Sequence, residues 1–189
     1  MAIASLLAVT APSAHAGWFS RGNEPRVGIT LATWNMEWLM TPATYRTLAS
    51  RCTAQQPASH ERAFPCSPGK PKPPERSAAD FAALSQTAQA LRDDLQADLV
   101  GLQEVDGPDA ARQVFGKGWR LDCFVQRAHP QKTGFAIRDG IPYRCNGDLT
   151  ALDVDGQSRA AADITLYPGT SRQVRVLSVH LKSVCFDGR

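Results

Sequence analysis

Three short stretches of this sequence end in side chains that can bind cations or transfer protons. Asn35 and Glu37 follow the first stretch, Glu104 ends the second, and His180 ends the third. Carboxylate and amide oxygens are the ligands that hard divalent cations prefer, and a histidine changes its protonation near neutral pH. Each residue alone also has an ordinary explanation. Glu104 would be a carboxylate at the rim of a sheet, Asn35 a turn residue, and His180 a histidine satisfied within the core.

The sequence around these residues predicts the strands that would position them. Residues 27–35 alternate large apolar side chains with small or polar ones, which predicts a strand. Residues 99–102 form a nearly continuous apolar run, typical of a strand buried on both faces. Residues 173–180 alternate again and place the histidine at the strand end. Because side chains two apart on a strand share a face, we expect Asn35 and Glu37 to lie on the same side.

The rest of the chain predicts more strands than helices. Ser77 and Asp80 resemble a capping box, and an apolar stripe follows at helical spacing: Phe81, Leu84, Ala88, Leu91 and Leu95. We also predict a short helix over 109–115, strands over 121–126, 132–138 and 158–166, a hairpin turn at 169–170, and irregular structure over 144–152. This pattern indicates an α/β or α+β fold with sheet-on-sheet packing.

The composition and the N-terminus predict one exported domain. At 189 residues, with 21% charged and 43% hydrophobic residues, the chain fits a single folded domain and excludes wholesale disorder. Residues 1–16 resemble a signal peptide that ends in a small-x-small cleavage site, and residues 17–26 form a polar lead-in. A buried first helix is the alternative for this segment. The apolar run is too short to span a bilayer, so we expect no transmembrane segment and a secreted or periplasmic location.

The cysteines agree with export. Cys52 and Cys66 bracket part of a proline-rich stretch over 45–76, which we interpret as an inserted surface loop, and a disulfide would hold it together. Cys123 and Cys145 flank a strand–turn–strand segment and could form a second disulfide. Cys185 is then left over, and free buried cysteines remain the alternative.

Charge alone does not select a partner. The net charge of +3 is compatible with a polyanionic substrate but does not indicate one. The basic residues Lys70, Lys72 and Arg76 could contact a phosphate, although a solvated charged loop is the simpler interpretation. The sequence does not indicate an oligomeric state.

The three stretches together resemble a known family. TWNMEWL (33–39), DLVGLQEV (98–105) and VLSVHLKS (176–183) are similar, in this order, to the first three signature blocks of the endonuclease/exonuclease/phosphatase family. The resemblance covers residues 27–189. It implies a DNase-like four-layer sandwich, with two packed mixed β-sheets flanked by helices, that is incomplete at its C-terminal end. It also implies magnesium-dependent hydrolysis of phosphate esters.

The resemblance assigns a role to each candidate residue. Glu104 matches the glutamate that binds the divalent ion, which is Mg²⁺, with Mn²⁺ as an alternative. Asn35 matches the amide that helps position the metal, and Glu37 an additional acidic residue found in some members. His180 matches the histidine that contacts the scissile phosphate or assists the leaving group, and Arg159 resembles a phosphate-contacting arginine.

Two functions of different class follow from this reasoning. The family's later GDxN-type and SDH blocks, which orient and deprotonate the attacking water, do not occur before Arg189. We therefore expect the N-terminal part of a phosphodiesterase or nuclease, with impaired activity. Its phosphate-ester substrate could be a nucleic acid, a phospholipid headgroup or a small ester, and no aromatic–basic stripe in the sequence favours nucleic acid. The alternative is a non-catalytic binding or interaction module on the same fold.

Overall fold

The computed structural model of the protein describes residues 28–54, 66, 72–126, 129–153 and 160–181. Its helices and strands are, in chain order, β1 (Leu31–Leu39), α1 (Pro42–Ala54), α2 (Ala78–Asp93), β2 (Leu99–Val105), α3 (Pro108–Arg112), β3 (Trp119–Asp122), β4 (Lys132–Arg138), β5 (Tyr143–Leu149), β6 (Ala161–Leu166) and β7 (Val174–Ser178). The predicted signal peptide (1–16), the lead-in (17–26), Arg159 and Cys185 lie outside the described residues.

The strands form two sheets, so the fold is mixed α/β as predicted. The larger sheet has the order β1-β2-β4-β3, and the smaller has the order β5-β6-β7. In the larger sheet β1 and β2 are parallel, while β4 runs antiparallel to both β2 and β3. The smaller sheet is wholly antiparallel. The prediction of two mixed sheets is therefore correct for the larger sheet and wrong for the smaller one.

Two hydrophobic cores separate three layers. The first core packs the larger sheet against α2 and α3; its members include Trp34, Leu102, Leu91, Ala110 and Phe115. The second core lies between the sheets; its members include Leu99, Phe135, Ile137, Ile164 and Leu166. The strands β2 and β4 therefore bury both faces, which explains why their sequences are almost continuously apolar.

The best-predicted element is α2. Its N-cap Ser77 accepts a hydrogen bond from the Asp80 amide, and the Asp80 side chain accepts one from the Ser77 amide, which completes the capping box. Ala88 and Leu91 are buried, and Phe81 and Leu84 pack partly against the core. The stripe ends earlier than predicted, because the helix ends at Asp93 and Leu95 is 43% exposed.

Two predictions of irregular structure are wrong. The stretch over 45–76 is not a loop throughout, because α1 extends to Ala54. The one proline of α1 is Pro42, which occupies the first helical position, where no amide hydrogen bond is lost. Residues 144–152 are likewise mostly strand, since β5 reaches Leu149. The prediction failed because β5 is an edge strand with an exposed middle, so it does not alternate, and its pairing with β6 is interrupted next to Gly147.

Both disulfides predicted from cysteine spacing are present. Cys52 pairs with Cys66, with 6.0 Å between their Cα atoms. Cys123 pairs with Cys145, with 5.3 Å between their Cα atoms, and thereby joins the end of β3 to β5 in the other sheet. Disulfides of this kind persist in oxidising compartments, which is compatible with the predicted export. None of the helices in the described ranges has the length and apolar character needed to cross a bilayer.

Candidate active site

The regular strand pairing breaks on both sides of Glu104. Toward β1, the pairing moves from Asn35–Gln103 directly to Leu39–Val105, so three residues of β1 face Glu104 alone. Toward β4, the pairing also shifts between Leu102 and Val105. Such irregularities bend a strand and redirect its side chains, and they are common beside active sites.

The backbone at these strand ends is unusual for residues other than glycine. Glu37, Trp38 and Glu104 have φ angles of 47°, 57° and 56°, in the left-handed region that costs an L-residue roughly 1–2 kcal/mol. Strained residues of this kind persist only where the surrounding structure holds them, and they tend to cluster at functional sites. The ends of β1 and β2 are thus held in a conformation that neither sequence prefers.

Arg76 is the side chain that holds the end of β1. Its guanidinium donates hydrogen bonds to the carbonyls of Met36 and Glu37, both at 2.7 Å, and to that of Trp38 at 3.2 Å. Burial lowers the pKa of Arg76, while the charges of Glu37 and Asp80 act in the opposite direction. The interpretation of Arg76 as a solvated loop residue is therefore wrong, because its donors are used on the backbone.

Glu104 meets His180 at this irregular edge. The Oε1 atom of Glu104 lies 3.4 Å from Nε2 of His180, and the two side chains are only 16% and 17% exposed. Glu104 belongs to β2, whereas His180 follows β7, which ends at Ser178 in the smaller sheet. The site therefore forms only when the two sheets pack against each other.

A chain of polar side chains, buried at Gln103 and Ser178, fixes that packing. The Thr33 hydroxyl donates to Gln103 Oε1 at 3.2 Å, and Gln103 Nε2 donates to Ser178 Oγ at 3.1 Å. The Ser178 hydroxyl in turn donates to the Leu102 carbonyl at 2.9 Å. The three stretches singled out in the sequence are thus joined by hydrogen bonds beside the Glu104–His180 pair. Gln103 and Ser178 were missed as positioning residues, although both lie within those stretches.

Asn35 and Glu37 lie on the neighbouring strand and are both exposed. Asn35 pairs with Gln103, one residue before Glu104, so it stands near the same sheet edge. Its Oδ1 atom accepts a hydrogen bond from the Glu37 amide at 2.9 Å, the local contact expected of a turn-forming asparagine. A carbonyl oxygen has a second lone pair, so this contact leaves Asn35 Oδ1 able to bind a cation.

The donor set around Glu104 is compatible with magnesium. Mg²⁺ keeps several of its waters and is commonly bound by one or two carboxylates together with substrate phosphates. Glu104 supplies the carboxylate, and Asn35 and Glu37 supply further oxygens on the adjacent strand end. Within the described ranges, the one cluster of three acidic, cysteine or histidine ligand atoms close enough for a metal is Asp122, Cys123 and Cys145. Because those two sulfurs form a disulfide, that cluster is not a metal site.

The fold and the site define a mixed α/β protein with a carboxylate–imidazole pair between two sheets. Comparisons of the chain with protein-family models, with curated proteins and with solved structures give no match.

Proposed function

We propose that this protein is a divalent-metal-dependent hydrolase of phosphate esters, most simply a phosphodiesterase or nuclease of the endonuclease/exonuclease/phosphatase family. The proposal includes that family's four-layer sandwich, and secretion or periplasmic export. The observation that carries it is the 3.4 Å approach of Glu104 to His180 from two different sheets. The family resemblance assigns to these two residues the metal and the phosphate.

Each residue has a chemical task in this proposal. Glu104 would hold the divalent cation, and Asn35 would add a neutral oxygen that introduces no repulsion. When bound, the cation would neutralise charge on the phosphate oxygens and on the departing oxygen. His180 would donate a hydrogen bond to the phosphate or a proton to the leaving group.

Export has independent support. Two disulfides occur in the described part of the chain, and cytosolic proteins rarely keep such bonds. We therefore include an exported location in the proposal.

The second candidate is a non-catalytic binding or interaction module. It is favoured by the sparse acidic set at the site. In the described ranges, no cluster of three ligand atoms includes Glu104. A protein that kept Glu104 and His180 without metal-dependent turnover would use this edge only to bind an anion or a partner.

The test is a calorimetric titration of the full chain with MgCl₂ and, separately, MnCl₂. We expect Glu104→Gln to weaken metal affinity by about tenfold to a hundredfold, because the neutral amide removes the anionic ligand but keeps the shape of the side chain. The matched control is Asp139→Asn, which removes a carboxylate that is 59% exposed on the turn after β4. Unchanged metal binding in Glu104→Gln, with a normal thermal transition, would sink the metal-dependent proposal and favour the binding module.

A further inference from the structure

A cavity of about 330 Å³ lies beside the end of β1, between α1 and α2. Its lining combines aromatic rings with charged groups: Trp38, Tyr45, Phe81, Arg46, Arg76 and Glu75. These residues come from three separate segments of the chain, so no continuous sequence motif predicts the cavity. A volume of this size lies at the lower end of the range for small-ligand sites and is large enough for one aromatic ring system.

The cavity shares an edge with the Glu104–His180 site. Trp38, on its wall, is one of the three residues of β1 that face Glu104. The first turn of α1 is attached to the same edge, because the Thr44 hydroxyl donates to Asp106 at 2.5 Å, two residues after Glu104. A ligand held in the cavity would therefore continue toward the candidate phosphate site.

The position of Trp38 is fixed before any ligand binds. Arg76 donates hydrogen bonds to the Trp38 carbonyl and to the two preceding carbonyls. These bonds hold the left-handed backbone conformation of Trp38. The Trp38 ring also approaches the ring of His129, with 6.4 Å between centroids. Rigid aromatic side chains lose little entropy on binding, so a fixed indole is a suitable surface for stacking.

The two arginines of the cavity have different roles. Arg76 uses its donors on the backbone, as described above. Arg46 lies on α1 and is exposed, and within the described ranges it makes no ion pair. Burial raises the pKa of Tyr45, and so does the hydrogen bond that Tyr45 donates to Glu75. The cavity thus offers stacking surfaces, one cation directed to solvent, and a carboxylate that can accept from an amino group.

We propose that this cavity binds one base of a single-stranded nucleic acid. The base stacks on Trp38 and Tyr45, and Arg46 pairs with the adjoining phosphate. Aromatic side chains beside a basic group are the recurrent platform for single strands, because every base has a stacking face. The choice of nucleic acid as substrate class rests on the proposed phosphoesterase function, whereas binding in the cavity requires no metal.

The test is fluorescence anisotropy with a short fluorescein-labelled single-stranded oligonucleotide, in EDTA and at fixed low salt. We expect Trp38→Leu and Arg46→Ala each to weaken binding by about tenfold, as the loss of one stacked base or one phosphate contact predicts. Arg120→Ala is the matched control. It removes an exposed arginine from β3, on the opposite side of the larger sheet, and should change affinity by less than about twofold.

A second arm separates bases from phosphates. An oligonucleotide of the same length that carries abasic sites should bind about tenfold more weakly to the wild type and should be insensitive to Trp38→Leu. Equal affinity for the two oligonucleotides would overturn the proposal and leave a simple phosphate contact. Equal losses in Arg46→Ala and Arg120→Ala would overturn it also, as evidence of non-specific charge.

The two proposals fail independently. If Glu104→Gln leaves metal binding unchanged but Trp38→Leu weakens oligonucleotide binding, the phosphoesterase function is wrong and the base cavity stands. If metal binding behaves as expected and the oligonucleotide does not bind in EDTA, the cavity assignment is wrong and another phosphate ester is the substrate. Because Arg46 is exposed, its variant tests the cavity even if Trp38→Leu disturbs folding.

Discussion

The carboxylates of Asp163 and Glu104 each have a basic partner, and they differ in how fully they are hydrogen-bonded. Asp163, in β6, is 3% exposed, and both of its oxygens lie 3.0 Å from Nε of Arg175. It also accepts a hydrogen bond from Asn146 at 2.8 Å. Glu104 is 16% exposed, and His180, at 3.4 Å, is its one ionic partner within the described ranges.

The backbone pairing around these two carboxylates is also more complete at Asp163 than at Glu104. Asp163 lies in a strand that pairs on both sides, with Gly147 in β5 and Leu177 in β7. Glu104 lies where the pairing breaks on both sides, at a φ of 56°. Asp163 therefore fastens three strands together, whereas Glu104 keeps acceptor capacity at an open edge. The comparison separates a carboxylate used for folding from one that retains the capacity to bind a ligand.

The largest effect that tests this contrast is on stability. We expect Asp163→Asn to lower the free energy of unfolding by about 2 kcal/mol, because it removes charged hydrogen bonds to a buried carboxylate. Glu104→Gln should change it by less than about 0.5 kcal/mol, as is usual where few contacts are lost. Urea denaturation followed by circular dichroism measures both values. Equal losses in the two variants would show that Glu104 is also a structural residue.

The pH dependence of stability tests the structural role of Asp163. The Arg175 hydrogen bonds hold the pKa of Asp163 below its usual range, with Asn146 acting in the same direction and burial against it. The stabilisation is therefore complete above the unfolded-state pKa of about 4 and is lost as the pH falls through the lower folded-state value. Urea titrations from pH 7 downward should show a steeper acid loss in wild type than in Asp163→Asn. Parallel curves for the two proteins would contradict this assignment.

Much of the site was predictable because its parts are local in sequence. The strands that carry Asn35 and Glu104, and the strand that precedes His180, are marked by apolar patterns, and the α2 capping box needs only residues 77–80. The two disulfides confirm one of the two alternatives that the sequence leaves open for these cysteines. The proximity of Glu104 to His180 could be expected only through the family resemblance, since nothing local specifies how the two sheets meet.

The residues that were missed depend on tertiary structure. The sequence predicts a solvated Arg76, because nothing local shows that carbonyls of β1 are available to it. Those carbonyls can accept its hydrogen bonds only because β1 is irregular there. The aromatic–basic cavity was invisible as a stripe, because Trp38, Arg46 and Phe81 lie on three different elements. Edge strand β5 escaped prediction because its middle residues are exposed on both faces, so its sequence carries no apolar alternation.

The smallest predicted effect is that of a change at Ser178. This residue lies on β7, the strand that also carries Arg175. Ser178→Ala removes the acceptor of Gln103 Nε2 and the donor to the Leu102 carbonyl. We expect a loss of about 1 kcal/mol in unfolding free energy. Metal affinity should fall by less than in Glu104→Gln, because the lost hydrogen bond relaxes only Gln103, the neighbour of the proposed ligand Glu104.

The matched control for this variant is Thr87→Ala, which removes a hydroxyl from α2 that bonds only within its own helix. It should leave both the unfolding free energy and the metal titration close to wild type. If Ser178→Ala lowers stability without changing metal affinity, the hydrogen-bond chain fastens the sheets but does not position the site. Glu104 would then be oriented by the irregular ends of β1 and β2 alone. Arg76→Lys tests this directly, because lysine keeps the charge but loses the planar guanidinium that reaches three carbonyls.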